Sequence, residues 1–210
     1  MKPVGIVLVS NKPLSEMTIL ETLNQPANSS LVVSRAFGFG PARNFGAKLL
    51  GDSGLMVQFN DDLVLSPKIW DFIFSLKKGE FAFQVVDEWV CSRVFVIHLE
   101  DYWRIGGCDD NIKFAFEDGD FYLRAIKTGL HFKRVPDELA VHIPHLHSWM
   151  RMQNIAQIDY EWSKLFVKYK RQAKRNMFAF FIRPFHWKVI FQHFILKVAF
   201  TIYWIIKGAK

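Results

Sequence analysis

Val4 to Val9 reads VGIVLV, six residues with no polar side chain on either alternate set. A strand with one wet face alternates apolar and polar residues, so an unbroken run of this kind belongs to a strand covered on both faces, as in parallel sheets flanked by helices. The run gives way to LSEMTILETLN, in which Met17, Leu20 and Leu23 suit one side of a helix. A strand SLVVS, a loop FGFGP, a helix ARNFGAKLLG closed by Gly51, a strand LMVQF and a helix KIWDFIFSL follow. This alternation predicts an α/β fold whose sheet is parallel, with right-handed crossovers, through residue 76. Beyond it, FAFQVV and RVFVIHL are strands with no long helix between them. A Gly-Gly turn, a helix around EDGDFYLRAIKTG and short strands LHFKRV and LAVHI complete the pattern, so the sheet is expected to be mixed in its second half.

A chain of 210 residues, half of them hydrophobic, can bury a sizeable core, which excludes a disordered chain. Its formal charge of +7 is unevenly spread: residues 151–210 hold 12 Lys and Arg against 2 Asp and Glu, and residues 1–150 hold 15 against 18. Cys91 and Cys108 form no disulfide framework or metal-type spacing, which makes a reducing cytoplasm the default and small buried hydrophobes their simplest reading. The opening MKPVGIVLVSNKP has an apolar core the length of a strand and no small-residue cleavage site, so it is not expected to be a signal peptide.

Two acidic clusters punctuate the apolar pattern. Asn60, Asp61 and Asp62 follow the strand LMVQF directly. They suit a polar turn, because Asn and Asp bond their own backbone. They also suit a divalent-cation site, because ligands of open α/β sheets bind beyond the carboxyl ends of strands and hard cations take oxygen ligands. Glu117, Asp118 and Asp120 open the later helix. Acids favour a helix amino terminus and Asp120 can pair with Arg124 one turn on, while crowding of like charges would equip one of the three to accept a proton. Ahead of them, WRIGGCDD places two glycines, Gly106 and Gly107, where the backbone can approach a ligand closely. His142, His145 and His147 lie within six residues, at a spacing that is not a standard zinc pattern.

The segments GPARNFGAKLLGDSGLMVQFNDDLVLSP and IGGCDDNIKFAFEDGDFYLR together resemble family 2 glycosyltransferases of the GT-A fold. The first matches an Ala-Arg-Asn-x-Gly segment leading to a strand that ends in an Asp-x-Asp type metal motif. The second matches a Gly-Gly-Phe-Asp-Glu turn followed by Glu-Asp and a helix ending in Arg. The resemblance spans about Val4 to His147 and implies a Rossmann-like, mainly parallel sheet flanked by helices over residues 1–148. It makes Asn60 and Asp62 the ends of the metal motif, with Asp62 the direct ligand and Asn60 a departure from the family's acid, and puts Asp61 between them on the nucleotide-sugar side. Asn11 and Arg43 also fall on the nucleotide side, and Gly106 and Gly107 on the acceptor side. Asp118 matches the catalytic base, with Glu117 the alternative. A histidine of the later cluster, His145 or His142 ahead of His147, would be a further metal or diphosphate contact. The implied cofactor is Mn2+ or Mg2+, since both suit oxygen ligands and assist departure of a diphosphate. Where the family commonly carries an Asp after the second strand, this chain has Ser34 and Arg35.

Residues 149–210 interleave Phe, Trp and Leu with Lys and Arg. Arg183, Lys188 and Lys197 break every apolar run short of the ~18 residues of a spanning helix, and Pro184 is expected to separate two helices. Amphipathic helices of this composition suit a membrane surface, although a packing or oligomer role is open. No nucleic-acid-binding motif is present, and nucleic acid is not an expected partner. The combined expectation is a hexosyltransferase on the cytoplasmic face of the membrane. It would move a sugar from a nucleotide-sugar donor to a lipid-linked or glycan acceptor, with inversion. The alternative is a noncatalytic protein, binding anionic lipid or nucleic acid, on a degenerate glycosyltransferase scaffold; Asn60 and the missing acid after the second strand favour it, and Asp62 and Asp118 oppose it.

Overall fold

The computed structural model describes residues 3–10, 12–36, 38–51, 54–86, 89–112, 117–143, 160, 163–164 and 187–207. They fall into two compact units, Met1–Lys113 with Glu117–His145, and Phe114–Phe116 with Leu146–Lys210.

The first unit is built on a six-stranded sheet. Its strands are β1 (Val4–Val9), β2 (Ser29–Ser34), β3 (Leu55–Asn60), β5 (Glu80–Val86), β6 (Trp89–His98) and β7 (His131–Val135), in the order β2-β1-β3-β6-β5-β7. Strand β1 runs parallel to both β2 and β3, β6 is antiparallel to β3 and β5, and β7 is parallel to β5. The parallel first half and mixed second half are as the sequence predicts. The unbroken run of β1 is covered on both faces: Val4, Ile6 and Leu8 enter one core cluster and Val7 the other.

Helices α1 (Phe39–Leu49), α3 (Leu99–Arg104) and α4 (Glu117–Lys127) contribute Ala47, Tyr102, Phe121 and Ala125 to the core on Val7's side of the sheet. On the other side, α2 (Ile69–Phe74) contributes Ile69, Trp70 and Ile73. The α1 side is strongly aromatic, with Phe83 stacked on Phe95 at 4.4 Å and Tyr102 on Phe121 at 5.4 Å between centroids. Such pairs add about 0.5–1.5 kcal/mol each beyond the area they bury.

Three local details differ from the sequence pattern. Residues 14–21 form two short 3-10 turns, Leu14–Glu16 and Thr18–Glu21, in place of a helix. The polar groups of this stretch and of the residues just after it are engaged elsewhere: Ile19 N–H donates to Asp61 O at 3.3 Å and Trp70 Nε1 to Leu23 O at 3.1 Å, while the Thr22 side-chain Oγ1 accepts from Leu65 N–H at 2.9 Å. Helix α1 begins at Phe39, inside the expected loop; Gly38 at φ 91° makes the entry, and Pro41 falls in the first turn, where a missing N–H costs nothing. A short strand β4 (Leu63–Leu65), unforeseen in the sequence, leaves the main sheet and pairs antiparallel with β8 (Ala140–His142), setting Leu63 opposite His142.

In the second unit the described helix is α5 (Trp187–Lys207). Tyr160 packs on Phe200 and Trp204, at 5.3 and 5.1 Å, and accepts a hydrogen bond from Trp204 Nε1 at 3.3 Å. The Lys164 ammonium lies 5.1 Å from the Trp204 ring centre. Ile195, Val198, Ile202, Ile205 and Ile206 are exposed. At 100° per residue they form one stripe, turned away from the Phe200–Trp204 side. Among the described residues no helix is long and apolar enough to cross a membrane. The expected break at Pro184 lies outside the described residues.

Candidate active site

Because β1, β2 and β3 are parallel, their carboxyl ends share one edge of the sheet. A helix that enters a parallel strand from the covering layer starts at that same edge. Helix α1 leads into β3 and α4 into β7, so the edge gathers Asn60–Asp62, the first turns of α1 and the acids of α4. This is where open α/β sheets bind ligands.

Asn60 ends β3 opposite Val9, and Asp61 and Asp62 form the turn into β4. The turn and the site are therefore the same residues. Asp62 is half-buried, and its Oδ2 lies 3.0 Å from His142 Nε2. The β4–β8 pairing produces this contact, and the Asp62 carbonyl fixes it further by accepting from Ile143 N–H at 2.9 Å. The other carboxylate oxygen, Oδ1, is buried with no hydrogen-bond partner among the described residues. Asp61 faces differently: its carboxylate accepts a hydrogen bond from Ser10 Oγ and lies 3.6 Å from the Lys12 ammonium. Ser10 and Lys12, at the end of β1, were not singled out in the sequence, although their place after a buried strand was a usable signal. Asn11, His145 and His147 lie outside the described residues. Among the described residues, no group of three His, Cys, Asp or Glu side chains is arranged to hold a metal ion.

The acids of α4 are less crowded by like charge than their spacing suggests. Glu117 is buried in an ion pair with Arg43 of α1, and Asp120 is fully buried against Arg124, at 2.7 Å. Arg124 also donates to Ile105 O at 2.9 Å, tying α4 to the Gly-Gly turn. Asp118 is half-buried and accepts from Gly119 N–H at 2.8 Å. Two acids thus have guanidinium partners, and the one matched to a catalytic base lies between them in sequence.

Arg43 was expected on the nucleotide side, yet it is only 2% exposed. Burial opposes its charge, but the carboxylate of Glu117, with smaller effects of Cys108 and Asp118, more than compensates and raises its pKa above the ordinary arginine value. Asn44, beside it, is a hub the sequence reading passed over. Its Oδ1 accepts from Tyr102 OH at 2.6 Å and from Cys108 N–H at 2.9 Å, and its Nδ2 donates to Cys108 O at 2.8 Å and to Asp110 Oδ1 at 2.7 Å. Four hydrogen bonds saturate the amide and fasten the loop after Gly107 to α1. Burial pushes the Cys108 thiol up to about 11, so it is neutral at physiological pH.

Comparison with known proteins follows this geometry in structure and not in sequence. The chain matches no protein-family model and no curated protein sequence. Its fold matches a mannosyltransferase from Pyrobaculum calidifontis in complex with GDP-Man and Mn2+, with a TM-score of 0.63 and 9% identity over 99% of this chain and 76% of that one. It also matches the catalytic domain of a Drosophila β1,4-galactosyltransferase 7 in complex with xylobiose, with a TM-score of 0.57 and 14% identity over 72% of this chain and 74% of that one. A third match is GalNAc-T7 with UDP, GalNAc and Mn2+, with a TM-score of 0.59 and 11% identity over 99% of this chain and 58% of that one. The chain has the GT-A fold.

Proposed function

We propose that the chain is a metal-dependent glycosyltransferase of the family 2 type, moving a hexose from a nucleotide-sugar to a hydroxyl of a glycan or lipid-linked acceptor with inversion. The observation that carries this reading is Asp62 on a GT-A sheet edge: one carboxylate oxygen faces His142 at 3.0 Å, and the other is buried without a hydrogen-bond partner among the described residues. A buried carboxylate oxygen left unpaired is costly, and a divalent cation would satisfy it. Asp62 and His142 would hold the ion, with Asn60 beside them and diphosphate oxygens completing the set. The mixed oxygen and nitrogen donors suit Mn2+ better than Mg2+. The solved mannosyltransferase and GalNAc-T7 structures contain Mn2+ with a nucleotide or nucleotide-sugar, which supports the same cofactor here. Bound there, the ion would neutralise charge growing on the departing diphosphate.

The chain's own residues divide the remaining work. Asp118 takes the proton of the acceptor hydroxyl as its oxygen attacks the anomeric carbon, while Arg43 and Arg124 occupy the neighbouring acids and keep them out of that role. Asp61, held by Ser10 and Lys12, shapes the nucleotide side. The +10 balance of residues 151–210 and the exposed apolar stripe of α5 support attachment to an anionic membrane face, where a lipid-linked acceptor resides.

The test is a transfer and hydrolysis screen of nucleotide-sugars with Mn2+, followed by two variants. Asp62→Asn is expected to lose Mn2+-dependent nucleotide binding in calorimetry while remaining folded. Asp118→Asn is expected to keep that binding and lose transfer by about 100-fold, the scale of a positioned base. Equal metal-dependent binding in Asp62→Asn removes the metal assignment, and unchanged turnover in Asp118→Asn removes the base.

A further inference from the structure

Arg43 and Asn44 are adjacent on α1, and each reaches a different element of the site. Arg43 pairs with Glu117, the first residue of α4, with both side chains at most 5% exposed. Asn44 holds Cys108 and Asp110, just after the Gly-Gly turn, and Tyr102 of α3. Tyr102 in turn stacks on Phe121 of α4 at 5.4 Å. Arg124 closes the circuit by joining α4 to Ile105. The base-bearing turn of α4 and the turn on the acceptor side are therefore fixed to one rigid dipeptide. Helix α1 itself is seated closely on the sheet, since a Cβ at Gly46 would stand 2.4 Å from Val7 Cγ1.

We propose that Arg43 is a positioning residue of the transfer reaction: through its ion pair with Glu117 it sets where Asp118 stands relative to the loop that Asn44 holds, and it does not contact the nucleotide. Burial carries the first half of this statement. A guanidinium with both neighbours and charge partner inside the core has little surface to offer a diphosphate, whereas a charge-assisted hydrogen bond from its Nη1 to Glu117 Oε1 inside low dielectric holds the two side chains to each other. The residue after Glu117 is Asp118, so a shift of the first turn of α4 moves the base with it. Misplacement of a reacting group by about 1 Å costs up to about 100-fold in rate. This role rests on the glycosyltransferase reading for its rate effect, but the anchoring of α4 stands independently of it.

The experiment separates the two. Wild type, Arg43→Lys, Glu117→Gln and the double variant Arg43→Met with Glu117→Gln are compared in three measurements: Kd for UDP and for GDP with Mn2+, kcat and KM for transfer, and hydrogen exchange of the amides at residues 117–121. The double variant leaves no uncompensated charge in the core, so it stays informative if a single variant fails to fold. The expected result is faster exchange at 117–121 in every variant, kcat lower by about 10- to 100-fold, nucleotide Kd within about threefold of wild type, and a double variant no slower than the worse single one. A tenfold weaker nucleotide Kd in Arg43→Lys with unchanged exchange at 117–121 overturns the proposal and makes Arg43 a donor contact. Fully additive kcat losses overturn it as well. If wild type transfers no sugar from any donor, the glycosyltransferase reading fails, and the exchange measurement alone decides the anchoring.

Discussion

Gly106 and Gly107 share a turn and a positive φ, 92° and 67°, but only Gly107 is crowded. A Cβ there would sit 2.5 Å from Asn44 Oδ1, whereas a Cβ at Gly106 meets nothing within 4 Å. Alanine at either position carries the left-handed backbone cost of about 1–2 kcal/mol. At Gly107 it must also push the amide away from Cys108 N–H and Tyr102 OH, adding roughly 1 kcal/mol or more for each buried bond disturbed. Gly107→Ala is therefore expected to lower the melting temperature by several degrees more than Gly106→Ala, and equal shifts in thermal unfolding would show that Asn44 is free to yield. At this scale the sequence told half the story. The two acidic clusters stood out by residue type, while the Ala-Arg-Asn segment and the choice of Asp62 and Asp118 within those clusters came from the family resemblance. The partnership of Arg43 with Glu117 was not legible, because nothing in either local pattern says that two residues 74 positions apart will share a buried pair.

Elements with a strong period and a clear breaker were legible; elements that borrow their hydrogen bonds from elsewhere were not. Strands β1, β3 and β6 announce themselves as apolar runs, and Gly51 at φ 58° marks the end of α1 as expected. The 3-10 turns at 14–21 escaped because apolar spacing cannot show that Ile19 and Leu23 bond to the β3–β4 turn and to α2. Strand β4 escaped for a related reason: three residues carry no measurable period, and its partner β8 lies 75 positions on. The seat of α1 makes an element-scale prediction. Gly46 lets the helix approach β1 so closely that Val7 occupies the space of a side chain. Val7 is β-branched and has few rotamers to escape into. Gly46→Ala should cost about 1–3 kcal/mol by overpacking, and Val7→Ala about as much through its cavity. Together they exchange volume across one contact, so the double variant should be more stable than the sum of the singles allows. Additive losses in denaturant unfolding would mean that the two positions do not share that space.

For the molecule as a whole, a basic balance and exposed hydrophobic side chains coincide in residues 151–210, away in sequence from the proposed site residues. Residues 151–210 carry 12 cations against 2 acids, and α5 exposes Ile195, Val198, Ile202, Ile205 and Ile206 along one stripe. Isoleucines turned outward at helical spacing are the reverse of a surface helix that caps a core, and under the proposed membrane attachment they would enter the acyl boundary. The two contributions differ in their response to salt. Each cation near an anionic leaflet adds about 1 kcal/mol that falls off within a Debye length, whereas inserted isoleucines are indifferent to ionic strength. The full chain should therefore float with liposomes containing phosphatidylserine, be only partly released at 1 M salt, and bind neutral liposomes more weakly. Ile195→Glu with Ile202→Glu removes two inserted side chains at about 1.5–3 kcal/mol each and adds repulsion from the leaflet, so flotation should fall by at least tenfold. Secondary structure and Mn2+-dependent nucleotide binding should stay as in the full wild-type chain, because both substitutions lie in the second compact unit. Flotation equal to wild type would show that the stripe meets something other than lipid. Loss of nucleotide binding alongside it would show that α5 supports the catalytic unit, and the membrane-linked acceptor would then lose its structural argument.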